Sequence, residues 1–369
     1  MIVGVPREIK SDEYRVGMLP VAAELLTARG HTVLVERGAG DGCGFTDDLY
    51  ETAGGEIVDT AEEVFARAEL VVKVKEPQSS EIEMLREGQT LFTYLHLAAS
   101  KELTTGVIES GCVGVAYETY TDKHGRLPLL TPMSEVAGKM SVQEGAKYLE
   151  RPQGGRGVLL GGIPGVEPGH VLILGGGTVG SCAARMAAGL GAKVALLDIS
   201  LDKLRQLDEW MPANVTLLYS DAHTVREYLA WADLVVGAVL IPGAAAPKLI
   251  KREDLSLMRP GSVIVDVAVD QGGCVETTKP TTHHDPIYTV DGVVHYCVAN
   301  MPGAVARTST MGLCNATLPF VLKLAEHGPH KLAKMDPGFA DAINTDHGRL
   351  TNEPVAQAHG LEFSPLRAR

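Results

Sequence analysis

The chain has no Cys-x-x-Cys pair. Its six cysteines, Cys43, Cys112, Cys182, Cys274, Cys297 and Cys314, are scattered over 369 residues. That spacing excludes a disulfide framework and a zinc ribbon, and it predicts reduced, partly buried thiols in a cytoplasmic protein. Positive charge is also scarce: 33 Lys and Arg stand against 46 Asp and Glu, a formal net charge of −13. Such a surface argues against nucleic acid or an anionic membrane as a partner. No apolar run is long enough to span a bilayer. The most apolar later stretch, Leu234 to Pro247, is too short and contains Gly and Pro, so it is expected to be a buried strand and loop. The opening MIVGVPREIK has no basic segment followed by an apolar core, so no signal peptide is expected. Aromatics are few, at 5%, while hydrophobic residues make up 45%, as in a soluble α/β protein. No internal repeat and no low-complexity run is seen.

What is present is concentrated in VLILGGGTVGSCAARMAAGLGAKVALLD, residues 171–198. An apolar run from Val171 to Leu174 meets Gly175, Gly177 and Gly180. An Ala-rich helical segment follows, then a second apolar run ending in Asp198. Strand, glycine turn, helix, strand and terminal acid is the order a dinucleotide requires. Gly175 allows the tight turn, Gly177 lets backbone N–H groups approach a pyrophosphate, and Gly180 lets the helix pack close to the strand. Thr178 and Val179 open that helix, whose N-terminus favours negative charge. Asp198 can accept hydrogen bonds from ribose hydroxyls and would repel a 2′-phosphate, which favours NAD over NADP.

The length suits two domains. In the first third, candidate strands Ile2–Val5, Thr32–Val35, Leu70–Val74, Thr90–Leu95 and Val113–Tyr117 alternate with helical stretches such as Pro20–Arg29, Thr60–Arg67 and Lys101–Ser110. Ser134 to Leu149 reads as a helix with Ser134 as its N-cap. Further strands are expected at Val194–Asp198, Val215–Leu218, Leu234–Val239, Ser262–Val267 and Val293–Tyr296, and a helix at about 304–326. The expected fold is α/β: two Rossmann-like domains with parallel sheets and a cleft between them. The NAD-binding Rossmann domain is expected at 128–305, inserted into a discontinuous substrate domain formed by 1–127 plus 306–369.

In open α/β sheets, chemistry gathers at the carboxyl ends of strands. Arg15 follows the first strand, Lys75 the strand 70–74, and His96 the strand 90–95. Arg offers a planar fork, Lys a point charge and His a proton exchangeable near neutral pH, a set suited to a small carboxylate. Lys73 should point to the opposite face, as a solvated strand end. Asp270 lies just past a buried strand and can orient or deprotonate a water; Asp266, inside that run, reads as structural. Ser220 and Asp221 fall where adenine contacts belong, Val239 at the next strand end, and Asn300 and Met301 beside the expected nicotinamide. His283, His284 and Asp285 have no fourth partner at a credible spacing, so THHDP reads as a surface turn and no metal is expected.

Over essentially its full length the chain resembles the alanine dehydrogenase family. The segments are GVPREIK, EYRVGMLP, VKVKEP, YLHLA, TPMSEVAGKM, GGGTVG, VDVAVDQGG, THHDPIY and HYCVANMPGAV. It is similar in part to the NAD-binding subunit of proton-translocating transhydrogenase, which supplies the alternative: a subunit without substrate chemistry. The resemblance implies oxidative deamination of L-alanine to pyruvate and ammonium with NAD, and the reverse reaction. Carried over by residue, Arg15 and Lys75 would bind the substrate carboxylate and carbonyl oxygen, His96 would be the acid–base, and Asp270 would position or activate water. Ser134, Gly175, Gly177, Gly180, Asp198, Lys203, Ser220, Val239, Asn300 and Met301 would line the NAD site. The family is usually a homohexamer. Ala306 stands where the family pattern has proline.

Overall fold

The computed structural model describes residues 1–239 and 246–366. Its strands are β1 (Ile2–Val5), β2 (Thr32–Glu36), β3 (Glu56–Val58), β4 (Leu70–Val72), β5 (Thr90–Thr93), β6 (Val113–Ala116), β7 (His170–Leu174), β8 (Lys193–Asp198), β9 (Val215–Tyr219), β10 (Leu234–Gly237), β11 (Val263–Asp266), β12 (Ile287–Val290), β13 (Val293–Tyr296), β14 (Ile343–Asp346) and β15 (Arg349–Leu350). The part of the Leu234–Pro247 run at 240–245 lies outside the described residues.

Contacts divide the chain into two compact units, Met1–Met133 with Gly303–Arg369, and Ser134–Pro302. The first holds an eight-stranded sheet in the order β15-β14-β6-β5-β4-β1-β2-β3. From β3 to β6 all neighbours are parallel. Read from β3, those six strands run 3-2-1-4-5-6, the doubly wound order. The second unit holds a seven-stranded sheet, β12-β13-β11-β10-β7-β8-β9. Read from β9, its six parallel strands repeat the same order with β7 as the first.

Both sheets are largely parallel, as expected, and antiparallel pairing is confined to one edge of each. β14 pairs antiparallel with β6 and with β15, and β12 pairs antiparallel with β13. The central strands are unbroken apolar runs because helices cover both faces: Leu70–Val72 and Val171–Leu174 have no exposed residue. Leu172, Leu174, Ala195, Leu197, Val235 and Ile264 share one core layer in the second unit. Val71, Leu91 and Leu95 do the same in the first, with Val355 and Ala356 from the C-terminal helix.

Two helices also differ from expectation. The helix placed at Ser134 begins at Thr131. The preceding turn already bonds the Thr131 N–H and hydroxyl to the Leu127 carbonyl, and Pro132 suits a first turn, where its missing N–H costs nothing. Ser134 is therefore inside the helix and is not its cap. The helix expected at 304–326 runs Ala306–Met335, broken at Gly328, whose φ of 70° and ψ of 168° no helix accommodates. Among the described residues no helix is long and apolar enough to cross a membrane.

Candidate functional site

Strand order fixes where a ligand can enter. In the first unit it reverses between β1 and β4, and in the second between β7 and β10. Helices leave a crevice at such switch points, outside the carboxyl ends of the strands. The chain leaving β1 carries Arg15, and the chain leaving β4 carries Lys75. His96 follows β5, which pairs with β4.

Arg15 is almost wholly buried. Its Nε and Nη2 donate to the two oxygens of Glu13 at 2.6 and 2.5 Å, and Nη1 reaches the Met133 sulfur at 3.0 Å. Burial alone would lower the pKa of the guanidinium, but the Glu13 carboxylate outweighs it and holds the charge. One edge of Arg15 is thereby fixed and the plane of its fork is set.

His96 sits in the left-handed region at φ 49° and ψ 33°, an uncommon conformation for a residue with a side chain. Glu118, just past β6, holds it there by accepting the Leu95 N–H at 3.1 Å and the His96 N–H at 2.6 Å. The ring stacks on Tyr94 and its Nδ1 lies 2.9 Å from Glu76 Oε2. With Nδ1 engaged, Nε2 is the nitrogen left to exchange a proton, and 39% of the side chain is exposed. Glu76 also pairs with Lys10. Burial would raise its pKa, yet His96, Lys75 and Lys10 together hold it well below the usual carboxylate range.

Lys75 is half-buried, and its own N–H is 3.4 Å from Glu8 Oε2. Lys73 corrects the expectation of a solvated strand end. It is fully buried, with Nζ 2.6 Å from Glu81 and 3.2 Å from Glu8. Desolvation opposes the ammonium, but the two carboxylates keep it charged. Glu13, Glu76 and Glu118 are the residues that sequence reasoning missed. The first two lie within two residues of Arg15 and Lys75, so proximity was an available signal. Glu118 gave one only through its place after a strand.

In the second unit the glycines do what their positions require. Gly175 has φ +99°, and a Cβ on it would come within 2.8 Å of the Ala238 carbonyl. A Cβ at Gly180 would sit 1.8 Å from the Gly175 oxygen, whereas one at Gly177 would meet nothing within 4 Å. Gly177 caps the helix Thr178–Gly189 with no side-chain hydrogen bond, so backbone N–H groups face open space at a helix N-terminus. Val179 lies in the first turn of that helix, where its carbonyl approaches Gly138.

Asp198, buried at the end of β8, accepts the Gly176 N–H at 2.7 Å and the Ser200 N–H at 2.8 Å, with Lys203 Nζ at 3.4 Å. It therefore ties the glycine turn to the next strand, and a carboxylate with about four lone-pair sites retains capacity for a hydroxyl. Ser220 is half-buried after β9, its N–H on the Asp198 carbonyl. Val239 is half-buried and packs on the core. Asn300 is held at φ 67°, its carbonyl 3.2 Å from His283 Nε2, and Met301 is buried beside it. His283 thus bonds to the loop that carries Asn300. Asp270 is exposed in a short 3-10 turn. Asp266 is buried and accepts from the Ala268, Cys274 and Val275 N–H groups and the Thr278 hydroxyl, a turn-capping role. A nicotinamide dinucleotide fits this set: a side-chain-free glycine cradle, a helix N-terminus and a buried acid at the second strand end.

Two doubly wound units, one with a glycine cradle and one with ionised groups at its switch point, define a dinucleotide-dependent enzyme. The family models for "Alanine dehydrogenase/PNT, N-terminal domain" and "Alanine dehydrogenase/PNT, C-terminal domain" match residues 4–137 and 141–353. The chain is 55% identical over 363 residues to an alanine dehydrogenase of Halomonas elongata, covering 98% of each. A solved L-alanine dehydrogenase superposes with a TM-score of 0.94 at 52% identity, over 98% of this chain and 99% of that one. A transhydrogenase structure from Sinorhizobium meliloti is more distant, with a TM-score of 0.80 at 25% identity over 96% and 99% of the two chains. The chain belongs to the alanine dehydrogenase/PNT family.

Proposed function

We propose that the protein catalyses NAD-dependent oxidative deamination of L-alanine to pyruvate and ammonium, and the reverse reductive amination. The observation that carries this reading is the polar group at the first unit's switch point: Arg15 fixed by Glu13, and His96 oriented by Glu76 beside Lys75. A subunit without substrate chemistry has no use for such a group. The substrate role belongs to 1–127 with 306–369, and the cofactor role to 128–305.

In this reading Arg15 binds the substrate carboxylate and Lys75 its carbonyl oxygen. NAD, held by the glycine cradle and Asp198, would supply the acceptor for the hydride on the substrate Cα. Hydride leaves more readily from a neutral amine, so His96 takes the ammonium proton, and Glu76 stabilises the imidazolium that results. The imine then takes up water, which Asp270 orients or activates, and His96 returns a proton to the departing amine. In amination the same groups act in reverse. Asp198 takes the adenosine ribose hydroxyls and disfavours a 2′-phosphate, with Lys203 and Ser220 beside it. Ser134, Gly175, Gly177, Thr178, Val179, Gly180, Val239, Asn300 and Met301 complete the cofactor site. The protein works in the cytoplasm as a homo-oligomer, by family likeness a hexamer.

The test is NADH oxidation with pyruvate plus ammonium, run beside glyoxylate and other 2-oxo acids. Pyruvate should be turned over, and His96→Ala should lose about 10²–10⁴-fold in kcat while still binding NADH. Absence of turnover with every 2-oxo acid would favour the transhydrogenase-type subunit.

A further inference from the structure

One cluster takes no part in the dehydrogenase chemistry. The β14–β15 hairpin turns through Asp346, His347 and Gly348, and the helical segment after the Gly328 break carries His330. His330 Nε2 lies 2.8 Å from Asp346 Oδ1, and His347 Nε2 lies 3.9 Å from the same oxygen. One ligand atom from each of the three residues falls within 4.8 Å of the others. The two rings stack, with centroids 5.9 Å apart and planes 15° apart. Asp346 is almost fully buried, whereas each histidine side chain is 30% exposed. Arg349 Nη2 holds the other oxygen, Oδ2, at 2.5 Å.

The electrostatics of this arrangement are lopsided. Were both imidazoles protonated, three cations would share one buried anion. Arg349 pairs with Oδ2, which leaves Oδ1 as the carboxylate oxygen that faces both rings. Neutral imidazoles beside it can turn lone pairs towards a common point. A tetrahedral zinc site with bonds of about 2.0–2.1 Å sets its donor atoms about 3.3 Å apart. The spacing of this cluster brackets that value. Two imidazoles and one carboxylate suit zinc-like ions better than Mg²⁺ or Ca²⁺, which take oxygen ligands.

We propose that His330, His347 and Asp346 form a Zn²⁺-binding site, ligating through the two Nε2 atoms and Oδ1 with a water in the fourth position. Arg349 orients the carboxylate from behind while weakening affinity through its charge. Bound Zn²⁺ clips the segment following Gly328 to the β14–β15 hairpin and so stabilises the C-terminal end of the first unit. This site is independent of the dehydrogenase reading and needs no residue assigned to substrate or cofactor.

The experiment is calorimetric titration of the metal-free full chain with ZnCl₂, beside His330→Ala, His347→Ala and Arg349→Gln. One Zn²⁺ per chain is expected, with a rise in Tm. Each histidine variant should bind at least about tenfold more weakly, since removing a ligand costs no less than the 10–100-fold lost with outer-shell partners, and its Tm should no longer respond. Arg349→Gln should bind more tightly. Co²⁺ in place of Zn²⁺ should show tetrahedral d–d absorption that either histidine variant abolishes. The proposal is overturned if the wild type binds no stoichiometric Zn²⁺, or if both histidine variants, unchanged in pyruvate turnover, keep its affinity.

Discussion

The two switch points sit at the same place in two sheets of the same order, yet they are built from opposite materials. In the first unit the chain leaving the strands brings paired polar side chains: Arg15 on Glu13, His96 on Glu76, Lys73 between Glu8 and Glu81. In the second it brings glycine and bare backbone, with Asp198 a buried acid bonded to that backbone. The fold supplies a crevice, and the residues on its rim decide whether it grips by charge or by shape.

The contrast is broken most severely at Lys73. Lys73→Met leaves two carboxylates facing each other without a cation and should cost about 3–5 kcal/mol in urea unfolding. Lys75→Met, two residues on, should change stability by under about 1 kcal/mol, yet lower pyruvate-dependent turnover by about 10²-fold or more. Equal losses of stability at the two positions would refute the division of labour between them.

Next comes the glycine pair. Gly180→Ala drives a methyl group into the Gly175 carbonyl, and an expected loss of about 1–3 kcal/mol should show as a lower Tm. Gly177→Ala meets open space, so it should leave Tm nearly unchanged while weakening NADH binding measured by fluorescence. Asp198→Ala removes an acceptor from two backbone N–H groups. It should cost about 1–3 kcal/mol and also narrow the preference for NADH over NADPH, and unchanged cofactor kinetics would contradict the ribose role.

The smallest effect depends on pH. Glu76 has its pKa depressed by His96, Lys75 and Lys10 against the effect of burial, so its ionised form stabilises the fold. That contribution is fully present above the ordinary glutamate range, near about 4.3, and is lost as pH falls through the lower folded value. The stability gap between wild type and Glu76→Gln should therefore shrink as urea titrations move from about pH 5, below the ordinary imidazole range, towards pH 3. A gap that widens on acidification would mean the carboxylate is not stabilised where it sits.

The central strands were legible because burial on both faces writes an unbroken apolar run, as in Leu70–Val72 and Val171–Leu174. The edge strands β3, β12, β14 and β15 were not. β14 reads Ile-Asn-Thr-Asp, a poor strand sequence, and is buried only because distant groups satisfy it: Asn344 donates to the Thr119 hydroxyl and Thr345 to the Cys112 carbonyl. Those partners lie more than 220 residues away and leave no local trace. Site candidates followed from the strand-end rule, which places a residue but not its side chain. The rule therefore set Lys73 apart from Lys75 but missed its burial, and it did not find the carboxylates that orient Arg15 and His96.

β14 completes the first sheet by pairing Ile343 with Val115, and that register governs assembly in time. A ribosome delivers residues 134–302 as one continuous stretch, so the second unit can fold as soon as it emerges. The first unit must wait, its sheet open at the β6 edge, until the returning segment Gly303–Arg369 arrives with β14. The glycine cradle is thus born ready to work, while the half that holds Arg15 and His96 is finished only after β14 has been made.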